Sequence, residues 1–270
     1  MLKFSGIVLL LSIVFCLATY ASAEEDRMIE ITILYNNVPH DTLLETDWGF
    51  ACLVKGAEKP ILFDTGGNGR ILLENMKKKG IEPESIRVLV LSHIHGDHTD
   101  GVWQLLKTNR KMSLIVPASF PQDFVARAET LCAGITKVDS ALTIMPDVWT
   151  TGEMGSQTRE QGLILSSQEG GILVTGCAHP GIAEMASRAR DVLGSELYLV
   201  LGGFHLRSAD RKRVTKIIEE LKELGVRCVA PSHCTGEEQI RFFAETFGDG
   251  FIPGGCGAVI RVPNGDKATE

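Results

Sequence analysis

The stretch Ser92-His93-Ile94-His95-Gly96-Asp97-His98-Thr99-Asp100-Gly101 decides how this chain is read. It follows Ile86-Arg87-Val88-Leu89-Val90-Leu91, an aliphatic, β-branched run with no turn residue inside it, which predicts a buried strand. The histidines therefore begin where a strand ends, the place where open α/β sheets carry their chemistry. Strand side chains alternate, so His93 and His95 are expected to point the same way. Gly96 lets the chain turn and aim Asp97 and His98 elsewhere. Three imidazoles and a carboxylate in six residues suit zinc and its first-row neighbours. Two pairs with two aims imply two metal positions. The plain alternative is a polar loop with chance histidines, and the density of donors argues against it.

The chain has seven histidines. His93, His95, His98, His179, His205 and His233 each stand just after an expected strand, and His40 alone does not. Strands are expected over 29–35, 50–54, 61–63, 86–91, 113–116, 162–166, 172–175, 197–201, 226–230 and 258–262. Helices are expected over 70–79, from 101 to 107, and over 182–193, 210–224 and 238–247. The interval from Pro117 to Ser156 reads less clearly. It holds a helical patch from Phe120 to Cys132, short strands near 135–138 and 142–144, and a candidate pocket wall. Neither an internal repeat nor a low-complexity linker interrupts the pattern, so one α/β domain over residues 24–270 is the economical organisation.

Residues 1–23 read as a secretory signal peptide: Lys3, an apolar run from Gly6 to Thr19, and Ala21-Ser22-Ala23 for cleavage. The run is short for a membrane span, so a soluble product exported to the periplasm or beyond is expected, with no stable membrane insertion after cleavage; the alternative is an uncleaved anchor. Removing 23 of 270 residues leaves 247 and takes away Lys3, moving the net charge from −7 to −8. An acidic surface argues against nucleic acid as a partner; the partner expected is a small-molecule substrate. Export permits disulfides, but the spacing of Cys52, Cys132, Cys177, Cys228, Cys234 and Cys256 fixes no pairing. Cys177 and Cys234 lie inside site-like motifs.

The run His93-x-His95-x-Asp97-His98 resembles the signature of the metallo-β-lactamase superfamily. Further motifs follow in order: Phe63-Asp64-Thr65-Gly66, Glu160-Gln161-Gly162-Leu163, Thr175-Gly176-Cys177-Ala178-His179-Pro180-Gly181, Gly202-Gly203-Phe204-His205-Leu206 and His233-Cys234-Thr235-Gly236. Together they resemble the branch known as 7,8-dihydropterin-6-yl-methyl-4-(β-D-ribofuranosyl)aminobenzene-5'-phosphate synthase, across nearly all of the mature chain. The resemblance implies an αβ/βα four-layer sandwich and two divalent metal ions, zinc first, with iron or manganese as alternatives. It assigns His93 and His95 to one metal, and Asp97, His98 and His233 to the other. The superfamily's usual third histidine is absent, since Arg159-Glu160-Gln161 stands in its place, and the following hairpin ends in Cys177-Ala178-His179. His179 is expected to supply the missing coordination. Cys177 and Glu160 are either ligands or groups behind them. Asp64 by itself reads as a turn residue or helix cap; the resemblance implies a buried carboxylate that orients the histidine loop.

Such a site implies a metal-dependent hydrolase that activates water against a phosphoester, acyl or related ester. Asp97 would orient the nucleophile, and His205 would be a proton donor, a substrate contact or a further ligand. The competing readings are a binding protein that turns nothing over and a redox member of the same fold.

Overall fold

The computed structural model describes residues 28–264. The expected signal segment, 1–23, lies outside the described residues. Among those described, no helix is long and apolar enough to cross a membrane.

Two sheets stack face to face. The first runs in the order β13(Val259–Pro263), β1(Met28–Asn36), β2(Phe50–Lys55), β3(Ile61–Phe63), β4(Val88–Val90), β5(Ser113–Pro117), β6(Gly134–Val138). The second runs β12(Cys228–Ser232), β11(Leu197–Gly203), β10(Gly170–Thr175), β9(Leu163–Ser167), β8(Val148–Thr150), β7(Leu142–Met145). Strands β3 to β6 are parallel to one another, as are β10, β11 and β12.

The period-two alternation of the strands explains the layering. Phe50, Cys52 and Val54 of β2 face the second sheet and pack with Leu163, Leu165, Val174 and Leu201. Their neighbours Ala51 and Leu53 face outward onto α1(Gly69–Lys78), α3(Val102–Thr108) and α4(Gln122–Glu129), through Leu72, Leu105, Leu106 and Val125. On the other side Leu173, Val200 and Val229 meet α5(Ile182–Leu193), α6(Arg211–Glu223) and α7(Glu237–Phe247), through Met185, Ile218 and Phe243. Each such buried apolar side chain contributes about 1.5–3 kcal/mol. The result is helices, sheet, sheet, helices: the αβ/βα sandwich.

Expected and observed elements coincide within a few residues, with three differences. The run 86–91 forms only a three-residue strand, so Leu91 to His95 is loop rather than strand. A four-residue helix, α2(Gly96–Thr99), follows His95 directly. Strand β8 lies in the interval that the sequence left obscure, where it joins β7 to β9. The chain leaves β3, β4, β10, β11 and β12 at one edge of the sandwich, and the loops from those tips build the site.

Candidate metal centre

The loop geometry starts from Asp64, at the tip of β3. It is fully buried and has a left-handed backbone, φ 59°, which Asp tolerates better than most residues. Oδ1 accepts from the Ser92 backbone N–H at 2.7 Å, and Oδ2 accepts from Ser92 Oγ at 2.7 Å. His98 Nδ1 lies 2.7 Å from the same Oδ2. One carboxylate thus fixes both ends of the histidine loop. Gly176 is bare for the same reason, since a Cβ there would collide with Ser92 Oγ and lie 2.9 Å from Asp64 Oδ2.

A second buried carboxylate does the equivalent work across the cleft. Glu160 Oε1 accepts from the Cys177 and Ala178 N–H groups, both at 2.8 Å. Oε2 accepts from the His179 N–H at 2.9 Å and stands 2.8 Å from His179 Nδ1. Burial would raise its pKa, but His93, His179 and the backbone donors outweigh burial and hold it below the usual carboxylate range.

These partners fix the tautomers. His93 Nδ1 is 2.8 Å from Ser92 Oγ, whose proton goes to Asp64. His233 Nδ1 is 2.8 Å from Asn37 Oδ1. With Nδ1 of His93, His98, His179 and His233 donating to oxygen, each Nε2 carries a lone pair.

The free nitrogens converge. His93, His95 and His179 place one donor atom each within 4.8 Å of the others, and so do Asp97, His98, Cys177 and His233. His93 Nε2 faces His95 Nδ1 at 3.2 Å. Asp97 Oδ2 is 3.3 Å from His233 Nε2 and 3.6 Å from His98 Nε2, and Cys177 Sγ is 3.3 Å from His98 Nε2. Ligands at about 2.0–2.3 Å in a tetrahedron stand roughly 3.3–3.8 Å apart, so these separations suit the coordination edges of an ion. His233 Nε2 is buried with no hydrogen-bond partner, a state that costs about 1–3 kcal/mol unless something satisfies it. The donor set fits divalent metal.

The expected aim of His93 and His95 is met by a different route. They lie beyond β4, and His95 is the residue from which α2 starts, so loop and helix turn them rather than strand alternation. Four of the five non-glycine residues with positive φ among those described, Asp64, Ala178, His205 and His233, sit in these loops. Such backbones cost about 1–3 kcal/mol each and are held by the packing around them.

His205 stands exposed at the mouth, its ring centroid 4.5 Å from that of His179. A hydrogen bond with Cys234 lifts its pKa above the ordinary value despite partial burial. In return the Cys234 thiol is held below the usual range by hydrogen bonds, first from Cys177 and then, against burial, from His205. A cavity of about 500 Å³ opens beside His179 and His205, lined also by Ser156, Gln157, Thr158 and Glu184. A separate cavity of about 460 Å³, bounded by Ile29, Val148 and Leu165, holds no histidine or cysteine. His40 is exposed and joins neither donor group. The six described cysteines are all unpaired.

Sequence reasoning passed over Asn37, Ser92, Trp48 and Gln161. Trp48 lies 4.7 Å from the His233 ring, centroid to centroid, with the Arg207 guanidinium 5.5 Å from the centroid of the Trp48 ring. Gln161 ties the two sheets together by donating to the Leu91 and Ile115 carbonyls at 2.9 and 3.2 Å. Asn37 left a trace, as a polar residue ending an apolar strand. Ser92, within the histidine run, left none that separates it from an ordinary loop serine.

The sequence profile of the metallo-beta-lactamase superfamily matches residues 49–233. A 7,8-dihydropterin-6-methyl-4-(beta-D-ribofuranosyl)-aminobenzene-5'-phosphate synthase from Methanocaldococcus jannaschii is 31% identical, over 76% of this chain and 85% of its own. Among solved structures, Tm1679, described as a metal-dependent hydrolase of the beta-lactamase superfamily, superposes with a TM-score of 0.73 at 22% identity, covering 87% of this chain and 100% of that one. YhfI from Bacillus subtilis, a metallo-beta-lactamase fold protein, superposes at 0.63 with 14% identity, covering 87% and 99%.

Proposed function

The chain belongs to the metallo-beta-lactamase superfamily, and from that premise we propose that it is an exported, metal-dependent hydrolase with a two-metal site. The observation that carries this reading is the pair of donor groups, each imidazole pinned through one nitrogen, with His233 Nε2 left buried and unpartnered. His93, His95 and His179 hold one ion; Asp97, His98 and His233 hold the other, with Cys177 beside them. Two divalent ions, zinc first and iron or manganese as alternatives, supply Lewis acidity and bring the pKa of water toward neutrality.

The chain's own residues do the rest. Asp64, Glu160 and Asn37 keep the ligand nitrogens deprotonated and aimed, so no reorganisation is needed when charge develops. Asp97 turns Oδ2 toward His233 and His98, and its other oxygen is free to orient the attacking water. His205 holds a proton at the cavity mouth, within reach of a leaving group. The cavity lining, hydroxyl and amide with one carboxylate, suits a small polar molecule rather than a polymer.

A phosphoester is the first substrate class, because the relative's name contains a 5'-phosphate. The word synthase in that name favours a second reading, in which the same residues serve a bond-forming step. A screen of metal-loaded protein across phosphate esters, sulfate esters, lactones and thioesters tests the hydrolase reading. Turnover abolished by a chelator and restored by metal supports it. No turnover of any class by protein with its metals bound removes it in favour of the second reading or of a protein that only binds.

A further inference from the structure

Beside the two donor groups stands a third, whose two thiols the proposed reaction does not use and whose imidazole it uses only as a proton donor. Cys177, His205 and Cys234 each offer one donor atom, and these lie within 4.8 Å of one another. Both thiols are buried, Cys177 at 4% exposure and Cys234 at 6%, while His205 closes the group from the solvent side. The three come from three separate strand tips: Cys177 after β10, His205 after β11 and Cys234 after β12. Their loops are tied together, since the Phe204 N–H donates to Thr235 Oγ1 at 3.0 Å and Thr235 Oγ1 donates to the Ser232 carbonyl at 2.6 Å.

The floor of this group is Gly203. A Cβ there would lie 2.7 Å from Cys234 Sγ and 3.2 Å from Cys177 Cα, and would strike the Gly176 carbonyl. Any side chain at this position would be driven between the two cysteines. The left-handed backbone of His205, φ 52°, is what turns its ring back over the pair. Among the described residues, Cys52, Cys132, Cys228 and Cys256 belong to no donor group.

We propose that Cys177, His205 and Cys234 form a third metal position, selective for a soft, thiolate-preferring cation such as Zn²⁺ or Cd²⁺, adjoining the two-metal site through Cys177. Two thiolates and an imidazole are three of the four ligands of a tetrahedral thiolate site, leaving one place for water. Binding releases the protons of both thiols and takes the His205 lone pair. The proton donor of the hydrolytic reading is then withdrawn, so occupancy of this position is expected to inhibit turnover. The inference rests on the two-metal reading only for that last consequence.

The test uses the full mature chain, stripped of metal by a chelator, reduced with a phosphine rather than a thiol, and titrated with Cd²⁺. Metal bound after desalting and the sulfur-to-cadmium charge-transfer absorption are read together. The wild type is expected to take up three equivalents and to show two thiolates' worth of absorption. Cys234→Ser should keep two equivalents and lose the thiolate absorption of the third. His205→Ala should weaken one equivalent about tenfold or more and leave the others unchanged. Uptake of only two equivalents by the wild type overturns the third position and leaves the two-metal reading standing. Uptake of none overturns both. Unchanged stoichiometry and absorption in Cys234→Ser, checked for wild-type circular dichroism, also overturns the proposal.

Discussion

Replacing Glu160 by Gln tests whether a buried carboxylate holds His179 in place. Gln has the same shape but exchanges one oxygen for an NH₂ group. In one orientation the new donor faces the Cys177 and Ala178 N–H groups, which now sit 2.8 Å from Oε1. In the other it faces the His179 N–H and Nδ1, at 2.9 and 2.8 Å from Oε2. Either way two hydrogen bonds to a charged acceptor are lost, each about 1.5–3 kcal/mol, so the loss of stability is about 3–6 kcal/mol, toward the lower end after relaxation. In the second orientation His179 is also freed to place its proton on Nε2, and in both the charge behind it is gone, so affinity for the ion it shares with His93 and His95 should fall about 10–100-fold. Urea unfolding of the metal-free chain reads the first quantity, and competition with a chromophoric chelator reads the second. Because the Glu160 pKa is depressed in the folded chain, its contribution is full above the ordinary glutamate range and fades only as the pH falls below it. A variant with an unchanged urea midpoint and metal affinity within about twofold of wild type would refute the reasoning.

Gly176→Ala should push Ser92 off Asp64, destabilise the chain by about 1–3 kcal/mol and lower metal uptake, as thermal unfolding and metal analysis would show; a neutral substitution contradicts the contact. His233→Ala removes the unpartnered nitrogen together with the hydrogen bond to Asn37, two opposed effects that should leave the metal-free chain close to wild type in stability, while metal content falls; equal metal content excludes His233 as a ligand. Acid should weaken the metal-free chain. Burial first, then neighbouring histidines, push His93 down to about 3 and His98 down to about 4, so the unfolded chain, with histidines near 6.5, takes up two protons that the folded chain refuses. Burial pushes Asp64 up to about 7, so the folded chain takes up one that the unfolded chain refuses until near 3.8. These three groups alone leave a difference of one proton, or about 1.4 kcal/mol lost per pH unit from about pH 6 to 4.5, and the depressed Cys234 thiol acts in the same direction. A urea midpoint that stays flat or rises over that range contradicts the sign. Export predicts a mature N-terminus at Glu24 in the extracytoplasmic fraction, readable by intact mass; a chain retaining Met1 in the cytoplasm contradicts it.

The layers were legible in the sequence because strands buried on both faces must be apolar throughout, and such runs stand out at 50–54, 172–175 and 197–201. The placing of histidines after those runs was legible for the same reason. The supports behind the ligands were not. Glu160 precedes His179 by 19 residues and Asn37 is 196 residues from His233, and no local pattern says that either pair will touch. The aim of His93 and His95 was read from strand alternation, but the strand ends at Val90 and a turn of helix after His95 sets the geometry instead. Strand β8 was missed because three residues, Val148-Trp149-Thr150, are too few to show a period.

The central claim is that two groups of donors hold two ions. Crystals of the metal-loaded chain, with anomalous diffraction measured at the metal's absorption edge, test it most directly. The account predicts one peak within bonding distance of His93, His95 and His179, and a second within bonding distance of Asp97, His98 and His233. A single peak serving both groups, or metal bound away from these six side chains, would contradict it.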